Sequence, residues 1–125
     1  MVKTIHRRVV SVAYDLDDKS RVRLETLGSN MRIVSAIVQC PNRITVYYEC
    51  DLEPQEGETT SRVIEVLGTG HPMLDLDEGQ ERVHIATVRD DQFVWHVFEI
   101  VTQPIIMIDF NTGEARTKPL KGEAE

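Results

Sequence analysis

The chain has no stretch of about 20 apolar residues of the kind a membrane-crossing helix requires, and Met1 to Arg8 carries no apolar leader segment. The expectation is a protein that stays in the cytoplasm in which it is made. Basic residues are not in excess. Lys and Arg number 14 against 21 Asp and Glu, and the net charge of -7 argues against non-specific nucleic-acid binding, which needs clustered cations for the phosphates. Cysteine is scarce, with only Cys40 and Cys50, and no Cys-x-x-Cys or paired Cys/His spacing exists to hold zinc. The acidic stretches do not make a calcium loop. Counted from Asp75, the sixth and twelfth residues are Gln80 and Ala86, and from Asp15 they are Ser20 and Thr26, where Gly and Glu are required. No Gly-x-Ser-x-Gly elbow or other nucleophile motif is present, and nothing calls for a metal or cofactor. The expectation is a protein without catalytic activity.

What is present is β-structure. A hydrophobic fraction of 41% with 28% charged residues belongs to a chain that folds, and 125 residues make one domain. No segment has a helical period. Val34, Ala36, Val38 and Cys40 alternate with Ile33, Ser35, Ile37 and Gln39, and beyond Pro41-Asn42-Arg43, Ile44, Val46, Tyr48 and Cys50 alternate with Thr45, Tyr47 and Glu49. Superposing the two apolar faces predicts a hairpin with a three-residue loop, in which Cys40 faces Ile44, Val38 faces Val46, Ala36 faces Tyr48 and Val34 faces Cys50. The two cysteines then lie on the order of 20 Å apart along the ladder, out of disulfide reach, as buried reduced thiols.

The same alternation or Val/Ile richness marks 4–14, 21–27, 63–67, 82–88, 93–101 and 105–110, separated by Gly-, Pro- and Asp-rich breaks. Residues 93–101 are apolar on both faces, Phe93/Trp95/Val97 on one and Val94/Phe98/Ile100 on the other, which predicts a central strand. The fold expected is mostly β, a single antiparallel sandwich, roll or barrel-like domain of about eight strands with little helix over residues 1–110. Residues 111–125 read as a polar C-terminal tail, too polar to pack.

Charge is uneven along the chain: seven Lys and Arg against four acids in residues 1–32 leave +3, so the remainder carries -10. Solvated strand faces account for this, with an anion-binding face as the alternative. The most site-like segment is Gly68-Thr69-Gly70-His71-Pro72. Glycines at 68 and 70 permit backbone geometry that turns consecutive N–H groups toward one anion, with the Thr69 hydroxyl and His71 as further donors; the alternative is a tight turn that His71 caps. His96 shares strand parity with Val94, Phe98 and Ile100 and reads as a hydrogen-bonded core or interface histidine.

The run Arg62-Val63-Ile64-Glu65-Val66-Leu67-Gly68-Thr69-Gly70-His71-Pro72, followed by Ile85-Ala86-Thr87 and Phe93-Val94-Trp95-His96-Val97-Phe98-Glu99, resembles an uncharacterised family of small bacteriophage and prophage proteins. The resemblance covers about residues 3 to 99; the long connection at Asp15 to Ser20 and the extension after Glu99 depart from it. It implies a phage-type accessory protein in the cytoplasm of a bacterial host and lends no catalytic residues. The function expected is therefore binding: protein–protein interaction with a host factor or with a second copy in a homo-oligomer, most simply a dimer. Two alternatives stand beside it. One is sequestration of a nucleotide or other small anion by Gly68, Thr69, Gly70, His71 and His96, and the other is a minor virion component.

Overall fold

Period-2 alternation closed by Gly, Asn and Asp turns leaves the chain one economical way to bury its apolar faces, which is sheet against sheet. The computed structural model describes residues 2–103 and the backbone of 105–108 and 115–118. Its strands are β1 (Lys3–Ser11), β2 (Arg21–Leu27), β3 (Met31–Cys40), β4 (Arg43–Asp51), β5 (Thr59–Gly68), β6 (Gln80–Asp90), β7 (Phe93–Thr102), β8 (Ile105–Ile108) and β9 (Ala115–Lys118). One sheet has the order β1-β4-β3 and the other β2-β5-β7-β6, and every pairing is antiparallel. The domain is all-β, an open two-sheet sandwich, and no helix occurs among the described residues. None of them, accordingly, forms a helix long and apolar enough to cross a membrane.

Val10, Met31, Ile33, Ala36, Ile44, Val46 and Tyr48 of the first sheet meet Leu24, Ile64, Val66, Val88 and Val97 of the second to form the core. β7 lies inside its sheet between β5 and β6, which accounts for its two apolar faces. The strands β8 and β9 form a separate two-stranded ladder, so strand pairing reaches into the stretch read as a polar tail. The expected boundary at residue 110 lies outside the described residues.

The predicted β3–β4 register is corrected. Cys40 faces Arg43, Val38 faces Ile44, Ala36 faces Val46, Ile33 faces Tyr48 and Met31 faces Cys50. The loop is two residues, Pro41-Asn42, with Asn42 at φ +61°, and bulges interrupt the ladder between Ile33 and Ser35 and between Val38 and Cys40. Each bulge inserts an unpaired residue and inverts the face that follows, so Ile33 rather than Val34 is buried and Cys40 is exposed. Only Cys50 is a buried thiol; both cysteines are free.

Two side chains bolt the sheets together at opposite ends. Asp90, buried at the end of β6, accepts the Asn42 N–H at 2.7 Å from the β3–β4 turn. Arg62 of β5 donates through Nε (3.1 Å) and Nη2 (2.9 Å) to the Met31 carbonyl of β3, while its Nη1 lies 3.6 Å from Glu99 Oε2. Burial pushes the Glu99 carboxyl above its ordinary value of 4.5, and Arg62 only partly opposes this. The fold thus favours protonated Glu99: its contribution to stability is full below 4.5 and is lost as pH rises through the raised value. Glu99→Gln is expected to raise the urea midpoint at neutral pH, and the gap to wild type should close as the pH is lowered past 4.5. A gap independent of pH would assign the effect to packing.

Candidate functional site

The connection from β5 to β6 must pass β7, which lies between them, and it begins at the Gly-Thr-Gly-His segment. The His71 N–H donates to the Gly68 carbonyl at 3.0 Å, closing a four-residue turn with Gly70 at φ +91° in third position. That is the type II pattern, which demands glycine there. Gly68 meets a different constraint, the close approach of two rings. A Cβ on it would lie 3.0 Å from His71 Cε1 and 3.3 Å from Trp95 Cζ3. The turn takes up its own donors: the Gly68 N–H is given to His71 Nδ1 (3.1 Å) and the Thr69 N–H to the Val94 carbonyl (3.1 Å). At most the Gly70 N–H is left for an anion, so the backbone offers no convergent set of donors.

The turn does bring Thr69 and His96 together. On the outer face of the second sheet, Thr69 Oγ1 lies 2.9 Å from His96 Nε2, Thr87 Oγ1 lies 3.2 Å from His96 Nδ1, and the same Thr87 oxygen lies 2.9 Å from His84 Nε2. The strand register explains the row: Leu67 and Thr87 flank His96 on either side, and His84 faces Phe98. The His84 ring meets Phe98 edge-on with centroids 5.6 Å apart.

Two hollows adjoin the turn and share His71. The first, of about 270 Å³, has Leu67, Met73 and Phe98 as its apolar wall and Thr69 and His96 as polar groups. The second, of about 350 Å³, is lined by Gln92, Phe93, Val94 and Trp95. The His71 ring stands edge-on to Trp95, with centroids 6.1 Å apart, and Phe93 stacks on Trp95 at 6.2 Å. Around them Phe93 is 63% and Met73 56% exposed, and Leu74 is also exposed.

Below the first hollow is a group that the sequence did not single out. Glu65, on β5 opposite Phe98, is 1% exposed. Its Oε1 receives Arg82 Nε at 2.6 Å, and its Oε2 receives Arg82 Nη2 at 3.2 Å and Arg21 Nε at 3.3 Å. Arg82 Nη2 also donates to the Leu74 carbonyl at 2.7 Å, which ties the crossing connection to the sheet. The hydrogen bonds from Arg82 to Glu65 hold the guanidinium protonated more firmly than usual. Among the described residues no three His, Cys, Asp or Glu gather as a metal-ligand set.

A family model described as a domain of unknown function, DUF7352, matches residues 1–105. The chain belongs to this family. No curated protein and no solved structure matches it. The DUF7352 domain therefore contains both sheets, the Gly68–His71 turn and the Thr69–His96–Thr87–His84 row, while the β8–β9 ladder falls almost wholly beyond it.

Of the residues picked from the sequence, the structure places Gly68, Thr69, Gly70, His71 and His96 around one hollow. Sequence reading missed Met73, Phe98, Thr87, His84, Glu65 and Arg82. What brings them together is the position of β7 between β5 and β6: the β6–β7 pairing is a local hairpin, but the β5–β7 pairing joins strands that are not consecutive in the chain and has no local trace.

Proposed function

We propose that this DUF7352 protein is a phage-type accessory protein that acts by binding another protein, without catalysis, through the face around the Gly68–His71 turn. The observation that carries the reading is the pair of hollows bordered by exposed Met73, Leu74 and Phe93. Exposed Met and aromatic side chains grouped around pockets are what protein interfaces use as anchors, and burying them supplies the driving force of association. The polar groups suit this role better than anion capture. Three backbone N–H groups of the turn already have acceptors, and the first hollow is largely apolar, with the Thr69 hydroxyl and the imidazoles of His71 and His96 for orientation. The partner is a protein of the bacterial cytoplasm or a second copy of this chain.

A photo-crosslinking residue at position 73 or 93, with exposed Glu56 as the control position, tests the reading in cells. A discrete adduct from 73 and 93 but not from 56 is expected, and an adduct of twice the 14.3 kDa chain mass identifies a homodimer. Phe93→Asp should weaken association about tenfold or more while leaving stability within ~0.5 kcal/mol. Adducts no stronger at 73 and 93 than at 56, together with a nucleotide retained by the purified protein in native mass spectrometry, would replace this reading with ligand sequestration.

A further inference from the structure

The first sheet ends in a strand that is free along one side. β1 pairs with β4, and among the described residues no strand pairs with its other edge. Hydrogen bonds at its two ends fix which groups face outward. The Leu52 N–H donates to the Val2 carbonyl at 3.0 Å, and the Val12 N–H donates to the Asn42 carbonyl at 2.9 Å. In an antiparallel ladder such pairs recur at every second residue, so Thr4, His6, Arg8 and Val10 bond to β4. Lys3, Ile5, Arg7 and Val9 turn their N–H and C=O groups away from the sheet. Ser11 does not, because Asp15 takes both of its groups: the Ser11 N–H donates to Asp15 Oδ2 at 2.7 Å and the Asp15 N–H to the Ser11 carbonyl at 2.9 Å. The open edge runs from Lys3 to Val9, roughly 20 Å at ~3.3 Å per residue.

The charge on this edge is of one sign. β1 contains Lys3, His6, Arg7 and Arg8 and no acid, in a chain of net charge -7. Glu49 on β4 is held by Arg32 at 2.9 Å and Lys3 at 3.4 Å; these bonds keep its carboxyl below the usual range. Among the described residues Arg7 and Arg8 have no ion pair and no side-chain hydrogen bond. Exposed Ile5 and Val9 flank them. A second β1 offers this strip no acid. In two-fold antiparallel pairing, the register that sets Ile5 against Val9 also sets Arg7 against Arg7, and a shift of one residue per strand toward the C-terminus sets Arg8 against Arg8.

We propose that the β1 edge takes up an extended, acidic segment of a partner protein as an added antiparallel strand. The outward N–H and C=O groups of Ile5, Arg7 and Val9 supply the ladder bonds, and two consecutive acidic residues face Arg8 and Arg7 between apolar residues facing Val9 and Ile5. This site lies on a different sheet from the turn at Gly68 and stands independently of the function proposed above.

The test uses the full chain and a synthetic peptide, Thr-Val-Glu-Glu-Thr-Val-Thr, with amide NMR as readout. The expected result is saturable shifts and slowed exchange at the Ile5, Arg7 and Val9 amides at peptide concentrations up to on the order of 1 mM, weakened about tenfold by raising the salt from about 0.05 to 0.5 M. Arg7→Pro should abolish the effect and leave the fold intact, since the N–H it removes is not in the β1–β4 ladder. Arg7→Glu with Arg8→Glu keeps the backbone and should exchange the preference, rejecting the glutamate peptide for one with lysine in its place. The proposal falls if the wild type binds the lysine peptide equally well, or if the shifts spare the three edge amides. It also falls if oligothymidylate produces the same shifts more strongly, which would make the strip a nucleic-acid contact.

Discussion

Replacing Glu65 with Ala is expected to destabilise the domain by about 3–5 kcal/mol, measured as the loss in unfolding free energy from urea titration. Glu65 is the only acid that bonds to Arg21 or Arg82 among the described residues, and all three side chains are largely withdrawn from water. Removing the carboxylate leaves two guanidinium groups desolvated and without a hydrogen-bonded anion, with only the longer-range charge of Asp75 acting on Arg82. Glu65→Gln should be nearly as damaging, because it keeps the shape and loses the charge. The triple change Arg21→Leu, Glu65→Leu and Arg82→Met should recover most of the loss, since an apolar trio of similar volume has no charge to desolvate. What it should not recover is the bond from Arg82 to the Leu74 carbonyl, so amide exchange in residues 69–79 is expected to stay fast. If Glu65→Ala cost less than about 1 kcal/mol, the trio would be a surface network rather than a buried one.

Gly28→Ala is expected to have the second largest effect, about 3 kcal/mol or more, through two separate penalties. Gly28 has φ +103°, a region L-residues rarely enter, and a Cβ there would stand 2.8 Å from Asp51 Oδ2 and 3.1 Å from Pro54 Cβ. Asp51 cannot yield freely. It is buried and holds the Ser29 N–H and the Asn30 amide, so displacing it uncovers polar groups where the chain passes from β2 in one sheet to β3 in the other. Gly70→Ala provides the comparison. It has a similar φ of +91° with no atom within 4 Å of the new carbon, so it should cost only the backbone strain, about 1–2 kcal/mol. Equal losses in the two variants, read from thermal unfolding, would show that the Asp51 contact adds nothing.

Strand existence was legible from alternation, and the interior placement of β7 from its two apolar faces, because burial on one or both sides selects residue type directly. The β3–β4 register was not. Superposing apolar faces assumes an unbroken pleat, and nothing in Arg32-Ile33-Val34-Ser35 announces a bulge, since Ile33 and Val34 are equally apolar and either could face inward. Gly70 was legible through its conformational freedom, whereas Gly68, read the same way, has an ordinary φ and is instead crowded by the rings of His71 and Trp95. Glu65 left a fainter trace: a carboxylate inside the run Val63-Ile64-Glu65-Val66-Leu67 must find a cation if the strand is internal, but its partners Arg21 and Arg82 lie 44 and 17 residues away.

The row of Thr69, His96, Thr87 and His84 has a property of sense as well as of position. Each hydroxyl carries one proton and two lone pairs and each neutral imidazole donates from one nitrogen and accepts at the other, so the bonds on the two sides of His96 must run in the same sense. In one sense Thr69 gives its proton to His96 and shows the hollow only lone pairs. In the other, His96 gives its proton to Thr69, whose own hydrogen is then free to turn toward the hollow. The tautomer of His96 thereby sets whether Thr69 meets an incoming group as acceptor or as donor, and a His84 that accepts at Nε2 permits only the first sense. The same hollow can greet an amide N–H or a carbonyl without moving a heavy atom, as a reversible plug fits a socket either way round.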